Sequence, residues 1–300
     1  LAGAALLSSA AVADVSISGS AEWDYMQSDS NIAGLDGTTN GSANEINISF
    51  TNKTDSGLTI SYMNQIHTSK AGIDDNAITI EGGFGKVVMG GTNGAGTAYE
   101  MNALDLTAEE TAGSLIATGV ASAVTGNIST STGNGLDGNG NKISYHIPAM
   151  GGLTAGISAE AGGISGEDDK SHFGLKYAMD VDGTAITLGY SASSQETVAS
   201  ISDDNDATSM GVKVVTNGIS VMVTGGTSTG TGEDISTQAA GLSYTLENGL
   251  TVGVVTLKSE DDKDTGEEYT ATHYEAAYTI ASGLTAVLNV SDTDYKKGTA

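Results

Sequence analysis

From Asp14 onward, hydrophobic residues recur at every second position, the period of a strand whose two faces meet different surroundings. Val15, Ile17, Ala21, Trp23 and Tyr25 share one face, with Ser16, Ser18, Ser20, Glu22 and Asp24 on the other. The alternation returns at Ile46, Ile48, Phe50; at Leu58, Ile60, Tyr62; at Ile143, Tyr145, Ile147; and at Phe173, Leu175, Tyr177. It continues through Ile186, Leu188, Tyr190; Met210, Val212, Val214; Ile219, Val221, Val223; and Leu242, Tyr244, Leu246. The last examples are Leu250, Val252, Val254; Tyr274, Ala276, Tyr278, Ile280; and Leu284, Ala286, Leu288, Val290. The positions between them are mostly Ser, Thr, Gly, Asn, Lys, His and Glu. One face is moderately apolar and the other wet. No apolar run is long enough for a transmembrane helix, so a chain of this pattern enters a bilayer only by pairing strand to strand until the sheet closes. The apolar positions then face lipid and the polar ones a water-filled lumen.

Tight glycine turns punctuate the strands at Asn52 to Gly57, Gly82 to Gly85, Ala149 to Gly152, Asp180 to Gly183, Thr216 to Gly218, Glu247 to Gly249 and Ala281 to Gly283. Glycines 152, 183, 218, 249 and 283 are separated by 31, 35, 31 and 34 residues, room for two strands of about 9 to 11 residues and one polar loop. Short turns on one rim and long loops on the other are expected of a membrane barrel. From Gly85 to Gly152 the interval doubles to 67 residues. That long connection holds the helix-compatible stretch Ala98 to Thr118. About fifteen strands are counted by Val290, and even strand numbers in bacterial barrels imply a sixteenth beyond this sequence. The expected fold is therefore all-β, a transmembrane antiparallel β-barrel of about sixteen strands.

Composition narrows the function. Only 38% of the 300 residues are hydrophobic, 42 are Gly, 1 is Pro and none is Cys, which suits strands and tight turns and excludes disulfides and thiol chemistry. Asp and Glu number 37 against 11 basic residues, all Lys, for a net charge of -26. Such a surface offers nucleic acid no basic footprint. Leu1 to Ala10 is a short apolar run ending at the small-residue site Ala11-Val12-Ala13, which predicts a partial signal peptide over 1–13, cleavage after Ala13, and a mature barrel over 14–300 that starts at Asp14.

Two stretches, Ala11 to Trp23 (AVADVSISGSAEW) and Gly82 to Gly91 (GGFGKVVMGG), resemble the Gram-negative general porins, particularly the sixteen-stranded alphaproteobacterial type, and the architecture from Asp14 to Ala300 is similar to theirs. The resemblance implies a multi-pass outer-membrane protein surrounded by lipid, a homotrimer, and a channel for passive diffusion of small hydrophilic solutes and ions. It also implies that the third loop, by position Thr92 to Asn141, folds into the pore. Its carboxylates Glu100, Asp105, Glu109 and Glu110 would form the constriction, with Asp137 further along the loop. The pore wall expected opposite carries Glu22, Asp24, Glu45, His67, Glu81 and Lys86, with Lys70 nearby. This chain has no Arg, so it lacks the arginine part of the basic cluster that the family sets against its loop acids, and the balance implies a preference for cations.

Two other readings compete. A secreted β-solenoid adhesin or surface-layer protein shares the Gly, Ser, Thr and Asp richness, but solenoids repeat at a fixed short period, whereas here one connection is doubled. An enzyme is disfavoured because His67, His146, His172 and His273 fall on the wet faces of separate strands, with neither a nucleophile elbow nor a His-x-x-x-His spacing. No cofactor is called for. The acidic loops Glu167-Asp168-Asp169, Asp203-Asp204-Asn205-Asp206 and Glu260-Asp261-Asp262 offer weak Ca²⁺ or Mg²⁺ binding at most, lacking the spaced ligands of a dedicated site.

Overall fold

A computed structural model describes residues 14–29, 37–67, 73–107, 132, 136–161, 169–196, 205–230, 233–261 and 267–296. Fifteen strands follow one another: β1 (Asp14–Ser28), β2 (Gly37–Lys53), β3 (Thr59–His67), β4 (Ile73–Gly82), β5 (Gly85–Thr92), β6 (Gly140–His146), β7 (Leu153–Glu160) and β8 (Asp169–Val181). They continue as β9 (Thr184–Glu196), β10 (Asn205–Thr216), β11 (Ile219–Gly230), β12 (Glu233–Thr245), β13 (Leu250–Asp261), β14 (Glu268–Ala281) and β15 (Leu284–Lys296). Each pairs only with its sequence neighbours, antiparallel, in a single sheet ordered β1 to β15. The predicted signal segment, with Ala11 and Ala13, lies outside the described residues, and Asp14 is the first residue of β1.

All seven glycine turns predicted from the sequence join the strand pairs that the pattern assigned to them. At Asp182-Gly183 and Asn217-Gly218 both residues have positive φ, 52° and 81° in the first and 48° and 78° in the second. That is the geometry of a two-residue hairpin whose twist matches the strands it joins.

Burial is inverted relative to a soluble protein. Ser144, Ser158, Ser191, Ser209, Ser259 and His273 are buried, while Ile143, Met210, Val223, Leu288 and Val290 are each more than half exposed. The buried polar set sits on the concave side, because one connection touches it from within. After β5 the chain forms a short helix, α1 (Ala95–Tyr99), and a 3₁₀ turn (Ala103–Leu106). α1 packs against β6, β7, β8 and β9, and the 3₁₀ turn packs against β11, β12 and β13. A segment this short touches seven strands only if the sheet curls around it. The helix-compatible stretch Ala98 to Thr118 is thus not one helix in its described part. α1 begins earlier and ends at Glu100, whose extended backbone (φ -63°, ψ 161°) turns the chain along the wall.

The strands β8 to β15 are 12 to 14 residues long, longer than the spacing suggested. Thirteen residues at ~3.3 Å each span about 43 Å, or about 33 Å along the membrane normal at a 40° tilt, against an apolar band of ~25 Å. The excess lies on the loop side. On β13 the outward residues pass from Leu250, Val252 and Val254 to Thr256, Lys258 and Glu260; on β14 they pass from Tyr278 and Tyr274 to Thr270 and Glu268. Lys258 bridges Glu260 at 2.5 Å and Glu268 at 3.4 Å on this exposed rim. Charge at that height marks the end of the lipid-facing band.

Candidate functional site: the loop inside the lumen

The wall is shaped to receive the loop. Seven consecutive strands, β7 to β13, each carry an inward glycine: Gly156, Gly174, Gly189, Gly211, Gly226, Gly241 and Gly253. A Cβ at Gly189 would lie 2.5 Å from Met101 Cγ, one at Gly211 2.8 Å from Met101 Cβ, and one at Gly241 2.8 Å from Leu106 Cδ1. One at Gly174 would strike Ala95 O and lie 2.7 Å from Tyr99 Cβ. These residues leave a trough one side chain deep, filled by loop backbone at Gly174 and Gly226 and by the side chains of Tyr99, Met101 and Leu106 at Gly156, Gly189, Gly211 and Gly241.

Two chemically different contacts hold the loop there. The first is polar. Asp137, where the loop returns toward β6, accepts hydrogen bonds from Gly94 N (3.0 Å) and Thr97 N (2.8 Å), and its own carbonyl accepts from Thr97 Oγ1 (2.7 Å). The carboxylate is also bonded to Lys142 Nζ on β6 at 2.6 Å, with both side chains fully buried. Lys142 donates to Gly138 O (2.6 Å) and lies 3.6 Å from Glu160, while His172 Nε2 of β8 sits 3.5 Å from Asp137. Ser158 Oγ accepts from Ala95 N at 2.9 Å. Tyr99 OH lies 3.2 Å from Ala155 O and 2.9 Å from His146 Nδ1. The phenol has one proton; once it is donated to Ala155 O, Nδ1–H of His146 is the donor in the second bond.

The second contact is apolar. Met101, Ala103, Leu104 and Leu106 are buried against Met222, Ala239, Val255, Leu257, Tyr269 and Ala271 of β11 to β14. Hydroxyls complete it: Ala103 N donates to Thr224 Oγ1 (3.2 Å), and Ser209 Oγ donates to Met101 O (3.3 Å).

Of the predicted constriction acids, Glu100 and Asp105 lie on the loop between or beside these contacts, and Asp105 is exposed. Both stand within Coulombic reach of Lys176 on β8, which has Lys213 of β10 beside it and places Nζ 3.5 Å from Ala98 O. Glu109 and Glu110 lie outside the described residues, as does Lys70. Asp137 is no lumen acid, since it is buried and ion-paired. Among the predicted wall residues, Glu45 sits 3.8 Å from His67 and accepts from Gln65 Nε2 at 3.1 Å. Glu81 and Lys86 are cross-strand partners, and Lys86 also faces His146. Glu22 and Asp24 share the inward face of β1. Of the acidic loops, Glu167, Asp168, Asp203, Asp204 and Asp262 lie outside the described residues. Glu260 is paired with Lys258 and Asp261 is buried.

The sequence reading missed Lys176 and Lys213, the Asp137–Lys142 pair and the glycine trough. A signal for the apolar contact was present: Val255, Leu257, Tyr269 and Ala271 interrupt the wet face where the loop covers it.

Comparison with known proteins agrees with this architecture. The chain superposes on a solved porin at 17% identity and TM-score 0.65, covering 94% of this chain and 95% of that one. It is similar to a variant of the Rh. blastica porin (16% identity, TM-score 0.67, 95% and 98% covered) and to the anion-selective porin from Comamonas acidovorans (14%, 0.63, 94% and 90%). No curated protein matches. A family model described as Gram-negative porin matches residues 1–298. With wall, loop and family model in agreement, the chain belongs to the Gram-negative porins, the channel-forming β-barrels of the outer membrane.

Proposed function

We propose that the protein is a cation-preferring general diffusion channel for small hydrophilic solutes, assembled as a homotrimer and without catalytic activity or cofactor. The observation that carries the preference is the loop lying against the inner wall with Glu100 and Asp105 on it. Glu100 and Asp105 stand near Lys176, which has Lys213 beside it, and the sequence adds Glu109 and Glu110 to the same loop in a chain of net charge -26. A low-dielectric wall concentrates that field in the lumen. Two unit charges 8 Å apart interact by about 2 kcal/mol at an effective dielectric of 20, enough for one unbalanced carboxylate to bias permeation several-fold at low salt. The fold does not set the sign, since a similar barrel from Comamonas acidovorans is anion-selective. The acidic outer loops are assigned at most weak, exchangeable binding of Ca²⁺ or Mg²⁺.

The test is the zero-current potential across a planar bilayer under a KCl gradient. The unmodified channel is expected to favour K⁺, and the preference is expected to shrink at about 1 M salt, where the Debye length falls to roughly 3 Å. Glu100→Gln, Asp105→Asn, Glu109→Gln and Glu110→Gln together should move the potential toward zero. An anion-preferring unmodified channel would overturn the reading of the constriction and leave the barrel standing.

A further inference from the structure

The two loop contacts differ in kind, and the difference assigns a task to one residue. We propose that Asp137 is the positioning residue of the lumen loop. By this reading its carboxylate latches the α1 half to the wall, and when it is lost that half swings into the lumen while the Met101–Leu106 half stays clasped.

The argument starts from what Asp137 binds. One carboxylate holds two backbone N–H groups at the start of α1 and the buried ammonium of Lys142. It therefore ties the descending arm of the loop, its returning arm and β6 together at one point. If Asp137 is removed, Lys142 keeps Gly138 O and Glu160, so the wall retains a partnered cation while Gly94 and Thr97 lose their acceptor. If Lys142 is removed instead, a buried carboxylate faces two N–H groups and His172 without its counter-ion, and the low-energy course for it is to move toward water. Either change breaks the same latch. The side chains buried in the apolar clasp are all uncharged, with Asp105 turned outward from it, and the clasp rests on buried surface, so neither change reaches it.

The chain has no cysteine, which makes the position of α1 readable by a single introduced thiol. Ala95 is fully buried against the wall. In an Ala95→Cys background, a charged methanethiosulfonate added from solution should react slowly. Asp137→Ala and Lys142→Met should each raise that rate by at least about tenfold, a floor well under the full effect of breaking a buried ion pair. The double variant should gain less than the product of the two, because both remove one interaction. Leu104→Ala, on the other contact, should leave the rate unchanged. Heat-modifiable gel mobility reports the barrel throughout.

Unchanged thiol reactivity in both single variants with an intact barrel would overturn the proposal, and so would an equal rise in Leu104→Ala. Failure of every latch variant to form a barrel would also overturn it, by making the cluster a requirement of the wall. Single-channel conductance should fall as reactivity rises, because the released half stands in the passage instead of against the wall. The electrical readout rests on the channel reading given above; the thiol readout does not, so a protein that conducts nothing would still report whether the latch exists.

Discussion

A lysine at Leu188 or Val221 would lie among acyl chains, because both side chains point outward within the run of apolar outward residues and are exposed. At the middle of the band the cost is expected to be about 2 to 4 kcal/mol. Thr187→Lys and Ser220→Lys, on the inward face of the same strands, should cost less. Reversible unfolding in lipid vesicles measures all four, and equal costs on the two faces would reverse the assignment of inside and outside. Gly174→Val tests the trough. The backbone there needs no positive φ, so any effect comes from the collision with Ala95 and Tyr99. Overpacking of this kind costs about 1 to 3 kcal/mol when it cannot relax. The loop is the part free to yield, so conductance should change while heat-modifiable mobility is kept. The facing of single residues was legible in the alternation. What they touch was not, because a glycine in a strand reads the same whether it faces water or another backbone.

Hairpins are the units in which the sequence could be read. Asp182-Gly183 and Asn217-Gly218 announce their turns by residue type, since only Gly and, at some cost, Asn or Asp accept positive φ. The two turns should nevertheless respond differently to alanine. At Gly183 a Cβ meets nothing within 4 Å, so Gly183→Ala should cost the backbone strain alone, about 1 to 2 kcal/mol. At Gly218 a Cβ falls 2.8 Å from Thr245 O, and Gly218→Ala should be the more damaging of the pair in urea unfolding from lipid. Strand lengths were less legible than turns. Ser, Thr and acidic residues read as loop by composition, yet Thr256 to Glu260 and Glu268 to Thr272 continue the ladder above the apolar band. Hydrogen bonding to a neighbouring strand decides strand structure there, and composition carries no record of it.

For the whole molecule, the order and direction of fifteen strands followed from the period of two and the turn spacing; one doubled interval marked the long connection after β5, and its folding into the lumen came from the family resemblance alone. The polar latch did not. Asp137 and Lys142 are five positions apart where the loop runs into β6, and only the curled wall brings His172, Ser158 and α1 to the same place. Because every strand pairs only with its predecessor and successor, the wall can grow in sequence order with each new ladder except β5–β6 closing a short connection, the kind with low entropic cost. The loop follows a different schedule. It leaves the wall after β5 but rests on strands as late as β14, so the surface that receives it does not exist until more than half of the wall has been laid down. The passage is therefore wide before it is narrow, and in pulse-labelled refolding the amide of Gly94, bonded to Asp137, should gain protection after those of β6 and β7.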